Sequence, residues 1–134
     1  MHVEDFFGPR PFVFELRAKD RWEAIDELIE HLAATERIQE EHKDAIAQAV
    51  KAREMTMSTG VVRGVAIPHA LTDLVTEPVG IIGRSTRGIQ FHSLNGEELV
   101  TVLVLYLMPK DEFQKHVQTL ANIAKMLPLI LRER

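Results

Sequence analysis

The sequence predicts an α/β fold, a three-layer α/β/α sandwich in which helices flank a mixed β-sheet. Three observations predict it. A short run rich in aromatic and β-branched residues, Phe12-Val13-Phe14, opens the ordered pattern. Two stretches with apolar residues at helical spacing follow it. Several strand-like runs punctuated by Gly and Pro then lead to a last helical stretch. A chain alternating in this way buries its sheet between helical layers. With 134 residues, 46% of them hydrophobic, it is expected to form one domain over residues 1–134 with a core of its own.

The first strand is expected over Pro11 to Leu16. Asp20 then serves as an N-cap, with Glu23 three residues later as in a capping box. Trp22, Ile25, Leu28, Ile29 and Leu32 give the following helix one apolar face. Ala33 to Gln39 reads as a connection. A second helix is expected from about Glu40 to Glu54, with Ile46, Ala49 and Val50 on its apolar face. Ser58-Thr59-Gly60 is a break, and Val61 to Ile67 reads as one strand with Gly64 embedded where the backbone must bend or come close to something. Pro68 stops this strand and holds Ile67 extended, which puts His69 just past its end. Pro78 to Ser85 is a third strand, Arg87-Gly88 a turn, and Ile89 to Phe91 a short extended piece. Asn95-Gly96 is a hairpin signal. Leu99 to Met108, apolar except for Thr101, reads as a strand buried on both faces and ended by Pro109. Asp111 caps a third helix with Phe113, Val117, Leu120, Ile123, Ala124 and Leu127 on its stripe, interrupted at Pro128.

Composition narrows the chemistry. The chain has no cysteine, which excludes disulfides, Cys-ligated metal and thiol catalysis. Its formal net charge of −4 argues against nucleic acid as a partner. The apolar run ending at Met108 is too short to cross a membrane and no leader pattern opens the chain, so a cytoplasmic location without direct membrane insertion is expected. Gly83 to Gly88 has the gap of a phosphate loop, but Ile89 and Gln90 stand where Lys and Ser/Thr are required. No Gly-x-Ser-x-Gly elbow occurs. No two histidines share an i, i+4 helix face, so neither a metal site nor a cofactor is expected.

Histidine is the remaining chemistry-bearing residue, because neutral imidazole is available near pH 7. His2 lies in a tail, and His31 and His42 sit among charged neighbours on helices, where a solvated role suffices. His92 follows a strand end. His69 closes the run Gly64-Val65-Ala66-Ile67-Pro68-His69 with little bulk beside it. Position alone is compatible with a strand-end histidine satisfied by a backbone carbonyl or with a functional one. His116 stands beside the stripe residue Val117 and is open to the same two readings.

The stretch Arg53-Glu54-Met55-Thr56-Met57-Ser58-Thr59-Gly60, followed by Gly64-Val65-Ala66-Ile67-Pro68-His69, closely resembles the motif of phosphotransferase-system IIA domains of the fructose, mannitol and nitrogen-regulatory type. Gly88-Ile89-Gln90-Phe91, the buried strand ending in Pro109, and His116-Val117-Gln118-Thr119-Leu120 resemble the same family. The likeness covers about residues 12–130. It implies a carrier that accepts a phosphoryl group on a histidine from the phosphocarrier protein HPr. The carrier then passes the group to a IIB domain during sugar uptake or uses it as a regulatory signal. By resemblance the acceptor falls on His69 and the assisting histidine on His116. Arg53, Ser58, Thr59 and backbone groups near Gly64 fall on phosphate-supporting positions. Val62 stands where the family often has a second glycine, and Arg63 looks more like the nitrogen-regulatory branch than the mannitol one. The chain also ends earlier than is usual in the family, and no IIB segment is attached, which implies a free-standing IIA protein.

The resemblance leaves two further readings. One is a regulatory adaptor that chooses protein partners by phosphorylation state. The other is a non-catalytic interaction scaffold, as in cytoplasmic domains of anion exchangers that resemble this fold without the histidine. Retention of both His69 and His116 argues against the scaffold.

Overall fold

A computed structural model describes residues 13–56, 61–62, 64–93, 96–111 and 125. The order begins with strand β1 (Val13–Glu15) and helix α1 (Arg21–Ala34). A 3₁₀ turn (Glu40–His42) leads into helix α2 (Lys43–Thr56). Five strands follow: β2 (Val61–Val62), β3 (Val65–Ala66), β4 (His69–Leu71), β5 (Val79–Ser93) and β6 (Gly96–Met108). The third helix expected from Asp111 lies outside the described residues.

Local chemistry fixes the helices. The Asp20 carboxylate accepts from the Glu23 amide at 2.8 Å and opens α1. Glu23 reaches back one residue further than in the standard capping box, accepting from the Lys19 amide at 3.0 Å. Ala24, Ile25, Leu28, Ile29, Leu32 and Ala33 then bury one face, each large side chain contributing about 1.5–3 kcal/mol. The second helix begins later than the spacing suggests, because the chain makes the 3₁₀ turn at Glu40–His42 first. Ile46, Ala47 and Val50 form its buried stripe, and α2 packs on α1 and β4.

The sheet is mixed and six-stranded, with the order β1-β5-β6-β3-β2 and β4 also paired to β6. β1 runs parallel to β5, β5 antiparallel to β6, and both β3 and β4 parallel to β6. Alternate residues of β6 face opposite ways. Leu103, Leu105 and Leu107 join the core cluster that includes α1 and α2. Val102, Val104, Tyr106 and Met108 are equally inaccessible at 0% exposure, so both faces of the central strand are covered, as the sandwich requires.

Three strand assignments change. Val61 to Ile67 is not one strand: Val62 pairs antiparallel with Val65, and Gly64 takes φ +80 in the tight turn between β2 and β3. Only a glycine occupies that conformation cheaply. Nor does Pro68 end the extended chain. The proline has no amide hydrogen to give, so the pairing with β6 divides into β3 and β4 and resumes at His69.

The second change joins the pieces at Pro78–Ser85 and Ile89–Phe91 into the single strand β5. The Arg87-Gly88 turn is an irregularity inside it: Arg84 faces Val102, and the next paired residue, Ile89, faces Val100. Gly88 has φ +87, and a Cβ there would stand 2.4 Å from the Leu99 Cγ. The third change concerns the last strand, which starts at Gly96, with Leu99 52% exposed, so burial on both faces begins only beyond Thr101.

Candidate functional site

The chain from Gly64 to Thr72 is stitched to β6 along its length. The Thr101 and Val102 amides donate to the Gly64 carbonyl at 2.8 and 3.2 Å. The Tyr106 amide donates to the Pro68 carbonyl at 3.1 Å, and the Thr72 amide to the Met108 carbonyl at 2.8 Å. His69 lies between these anchors as the first residue of β4, half-buried.

Two contacts among the described residues hold the imidazole. His69 Nδ1 lies 2.9 Å from the Ile67 carbonyl oxygen. A carbonyl only accepts, so Nδ1 carries the proton and the ring's lone pair sits on Nε2. Across the parallel ladder His69 is in register with Tyr106, and the two rings stack with centroids 4.9 Å apart and planes 5° from parallel. Tyr106 is fully buried. Burial pushes its phenol well above the usual value, with the positive charge of Arg53 pulling the other way.

Arg53 therefore acts electrostatically on the residue beneath His69. It sits exposed in the last turn of α2, where a cation also suits the helix dipole. The next residue, Glu54, is buried. Its carboxylate pairs with Arg21 Nη1 at 3.3 Å, and the Arg21 guanidinium lies 4.4 Å over the Trp22 ring. This pair ties the last turn of α2 to the first turn of α1.

The structure brings His69 and Arg53 to the Tyr106 end of β6. It does not bring Gly64 there. Gly64 binds opposite Thr101 and Val102, and five extended residues from His69 correspond to about 16 Å. What the structure displays at Gly64 is a turn. Ser58, Thr59 and His116 lie outside the described residues. His31 is exposed as expected, whereas His42 is half-buried with its Nδ1 enclosed.

Two residues went unassigned in the sequence. Glu54 had a usable signal, since it follows the buried Val50 by four positions and so falls on the inner face of α2. Tyr106 had a weaker one, as the chain's single tyrosine set in an otherwise aliphatic run.

Residues 5–128 match the family model described as phosphoenolpyruvate-dependent sugar phosphotransferase system, EIIA 2. The chain belongs to that family. Among individual relatives, a nitrogen regulatory protein of Bradyrhizobium diazoefficiens is 28% identical over 95% of this chain and 80% of its own length. A fructose-specific EIIABC component of Bacillus subtilis is 26% identical over 95% of this chain, which spans 20% of that larger protein. A fructose-specific EIIA component of Haloferax volcanii is 34% identical over 63% of this chain and 54% of its own length.

Solved structures agree on the fold. The nitrogen regulatory protein IIA-Ntr from Neisseria meningitidis superposes with a TM-score of 0.74 at 21% identity, over 87% of this chain and 78% of that one. The Escherichia coli mannitol enzyme IIA, solved in complex with phosphorylated mannitol enzyme IIB, gives 0.64 at 21% identity, over 85% and 78%.

Proposed function

We propose that the chain is a cytoplasmic phosphoryl carrier of the phosphotransferase system. It accepts a phosphoryl group on His69 from an HPr-type phosphocarrier protein and passes it to a IIB component or a regulated target. The observation that carries this reading is the His69 ring itself, with Nδ1 committed to the Ile67 carbonyl and the lone pair on Nε2. Phosphoryl transfer passes through a loose, strongly anionic transition state, so the protein's work is positioning and charge stabilisation.

The Nε2 lone pair forms the new N–P bond as the donor's N–P bond breaks, and that bonding pair stays on the donor nitrogen. The Nδ1 proton does not move, because the Ile67 carbonyl continues to accept it. Arg53 supplies a guanidinium fork for phosphate oxygens. From the family resemblance, His116 assists at the phosphoryl group and Ser58 and Thr59 donate to its oxygens. Gly64 contributes the turn that returns the chain alongside β6.

The test is incubation with phosphoenolpyruvate, the system's first enzyme and HPr. Wild type should acquire an acid-labile, base-stable phosphate that His69→Ala lacks; a wild type that stays unlabelled ends the proposal.

A second reading is favoured by one observation: relatives named nitrogen regulatory protein stand among those this chain matches, one of them 28% identical over 95% of it. On this reading the phosphorylation state of His69 selects a protein partner. A partner set that differs between His69→Asp and His69→Ala in pull-downs supports it, and identical sets count against it.

A further inference from the structure

The position of Tyr106 is costly for a tyrosine. It lies in β6 between Leu105 and Leu107, on the face it shares with Val102, Val104 and Met108, all of them inaccessible. Burying a phenol there is less favourable than burying an aliphatic side chain of similar size unless its shape or its hydroxyl is put to use. The stack with His69 puts the flat shape of its ring to use.

Two restraints meet on the imidazole and constrain different motions. The hydrogen bond from Nδ1 to the Ile67 carbonyl, 2.9 Å long, fixes which edge of the ring points into the backbone. It leaves the ring free to tilt about that bond. The Tyr106 ring, 4.9 Å away and only 5° from parallel, removes the tilt. Together they hold the direction of the Nε2 lone pair, which lies in the ring plane.

The phosphorus of a phosphoryl group on Nε2 lies in that plane beyond the ring edge, and its oxygens flank the plane there and not over the imidazole ring itself. The stack is therefore compatible with both the unmodified and the phosphorylated ring. An aliphatic residue of equal burial would fill the space without presenting a flat surface. The register is what makes the arrangement rigid. His69 and Tyr106 are direct ladder partners, and the Tyr106 amide donates to the Pro68 carbonyl one residue before the histidine. Platform and acceptor are thus fixed to each other through backbone.

We infer that Tyr106 is a positioning residue for phosphoryl transfer, its ring serving as the platform that holds the His69 imidazole plane so that Nε2 meets the incoming phosphoryl group in line. This inference rests on the reading of His69 as acceptor and adds to it a residue that touches neither the phosphate nor the donor. Misplacing a reacting atom by about 1 Å can cost on the order of a hundredfold in rate. Loss of the platform with the acceptor retained should therefore slow transfer by about tenfold or more.

The test compares Tyr106→Phe and Tyr106→Leu with wild type in the full chain. The initial rate of phosphate acquisition from phosphorylated HPr is measured, with thermal unfolding as a check on the fold. Phe keeps the flat ring, so its rate should stay within about threefold of wild type, whereas Leu should fall by about tenfold or more and still be labelled at His69. Nitrogen–proton correlation spectra of the unphosphorylated wild type supply a second readout that does not depend on transfer. They should show one His69 tautomer with the proton on Nδ1, and ring protons shifted upfield by the tyrosine beneath.

A Leu variant as fast as wild type, or a Phe variant as slow as Leu, overturns the platform role. So does a wild-type spectrum without the upfield shift, which decides the matter even where the Leu variant fails to fold. A wild type that takes no phosphate at His69 overturns the carrier reading and the platform role with it. A labelled wild type with an unaffected Leu variant removes the platform alone.

Discussion

The two halves of β6 are one strand in two different environments. From Val102 to Met108 every residue is inaccessible, with core on one face and the Tyr106 face on the other. From Gly96 to Thr101 the strand carries the exposed Leu99, and its neighbour β5 departs from regular pairing at Ser85–Gly88. The inner half holds His69 and its stacking partner, while the outer half holds the glycine adjustments. The difference teaches where rigidity is located. The residue proposed to accept phosphate is laddered to the part of the sheet with no solvent-exposed side, and the irregular backbone is kept at the other end.

The largest effect should follow from breaking the inner half. Leu105→Ala deletes a fully buried side chain between the sheet and the helices and should destabilise by about 2–5 kcal/mol in a denaturant titration. Loss below 1 kcal/mol would mean that the two halves are packed alike.

Next comes the outer-half adjustment. Gly88→Ala places a side chain at φ +87 and against Leu99, and should cost about 1–2 kcal/mol. Leu99→Ala in the same chain should recover part of that, because the crowding is removed while the backbone strain remains. Strict additivity of the two changes would show that Leu99 plays no part.

A smaller, pH-dependent effect belongs to Glu15, which joins β1 to the irregular part of β5. Its carboxylate accepts from the Thr86 amide at 2.8 Å, from the Thr86 hydroxyl at 3.0 Å and from Arg84 Nε at 3.3 Å. These bonds, the amide first, hold its pKa below the ordinary glutamate value. A depressed folded pKa contributes stability that is fully present above the unfolded value and lost as pH falls through the folded one. Carboxyl NMR titration should find the Glu15 midpoint below that of an exposed glutamate, and Glu15→Gln should flatten the acid limb of stability. The smallest effect is at the half-exposed Leu99: Leu99→Ser alone should change stability by less than about 0.5 kcal/mol.

Much of this architecture is legible in the sequence, and the exceptions have physical reasons. The Asp20 cap, the α1 stripe and the end of β6 at Pro109 are local signals, and each is present. A glycine gives the same local signal in a bulge as in a loop, so the β5 irregularity looks like a turn in the sequence. The β2–β3 hairpin looks like one strand in the sequence because strand partners are chosen by long-range pairing, which local patterning does not specify. At the candidate site the His69 motif is legible in the sequence, and so is the spacing that buries Glu54, although no role is assigned to that residue there. The stack on Tyr106 is not legible, since cross-strand register is a property of the folded sheet.

The topology also orders events in time. β5 and β6 are consecutive, with Ser93 facing Gly96, so their ribbon closes over a very short loop. β1 joins β5 only when residues 69 positions apart meet, as Glu15 and Arg84 do. β4 can dock on β6 only after the ribbon supplies its edge. Loop-closure entropy then makes the β5–β6 ribbon the expected nucleus and the His69–Tyr106 contact a late arrival. Substitutions within the ribbon should mainly slow refolding and those in β4 mainly hasten unfolding, a division that chevron kinetics would reveal. A nascent chain would on this view possess its sheet before it possesses an oriented acceptor.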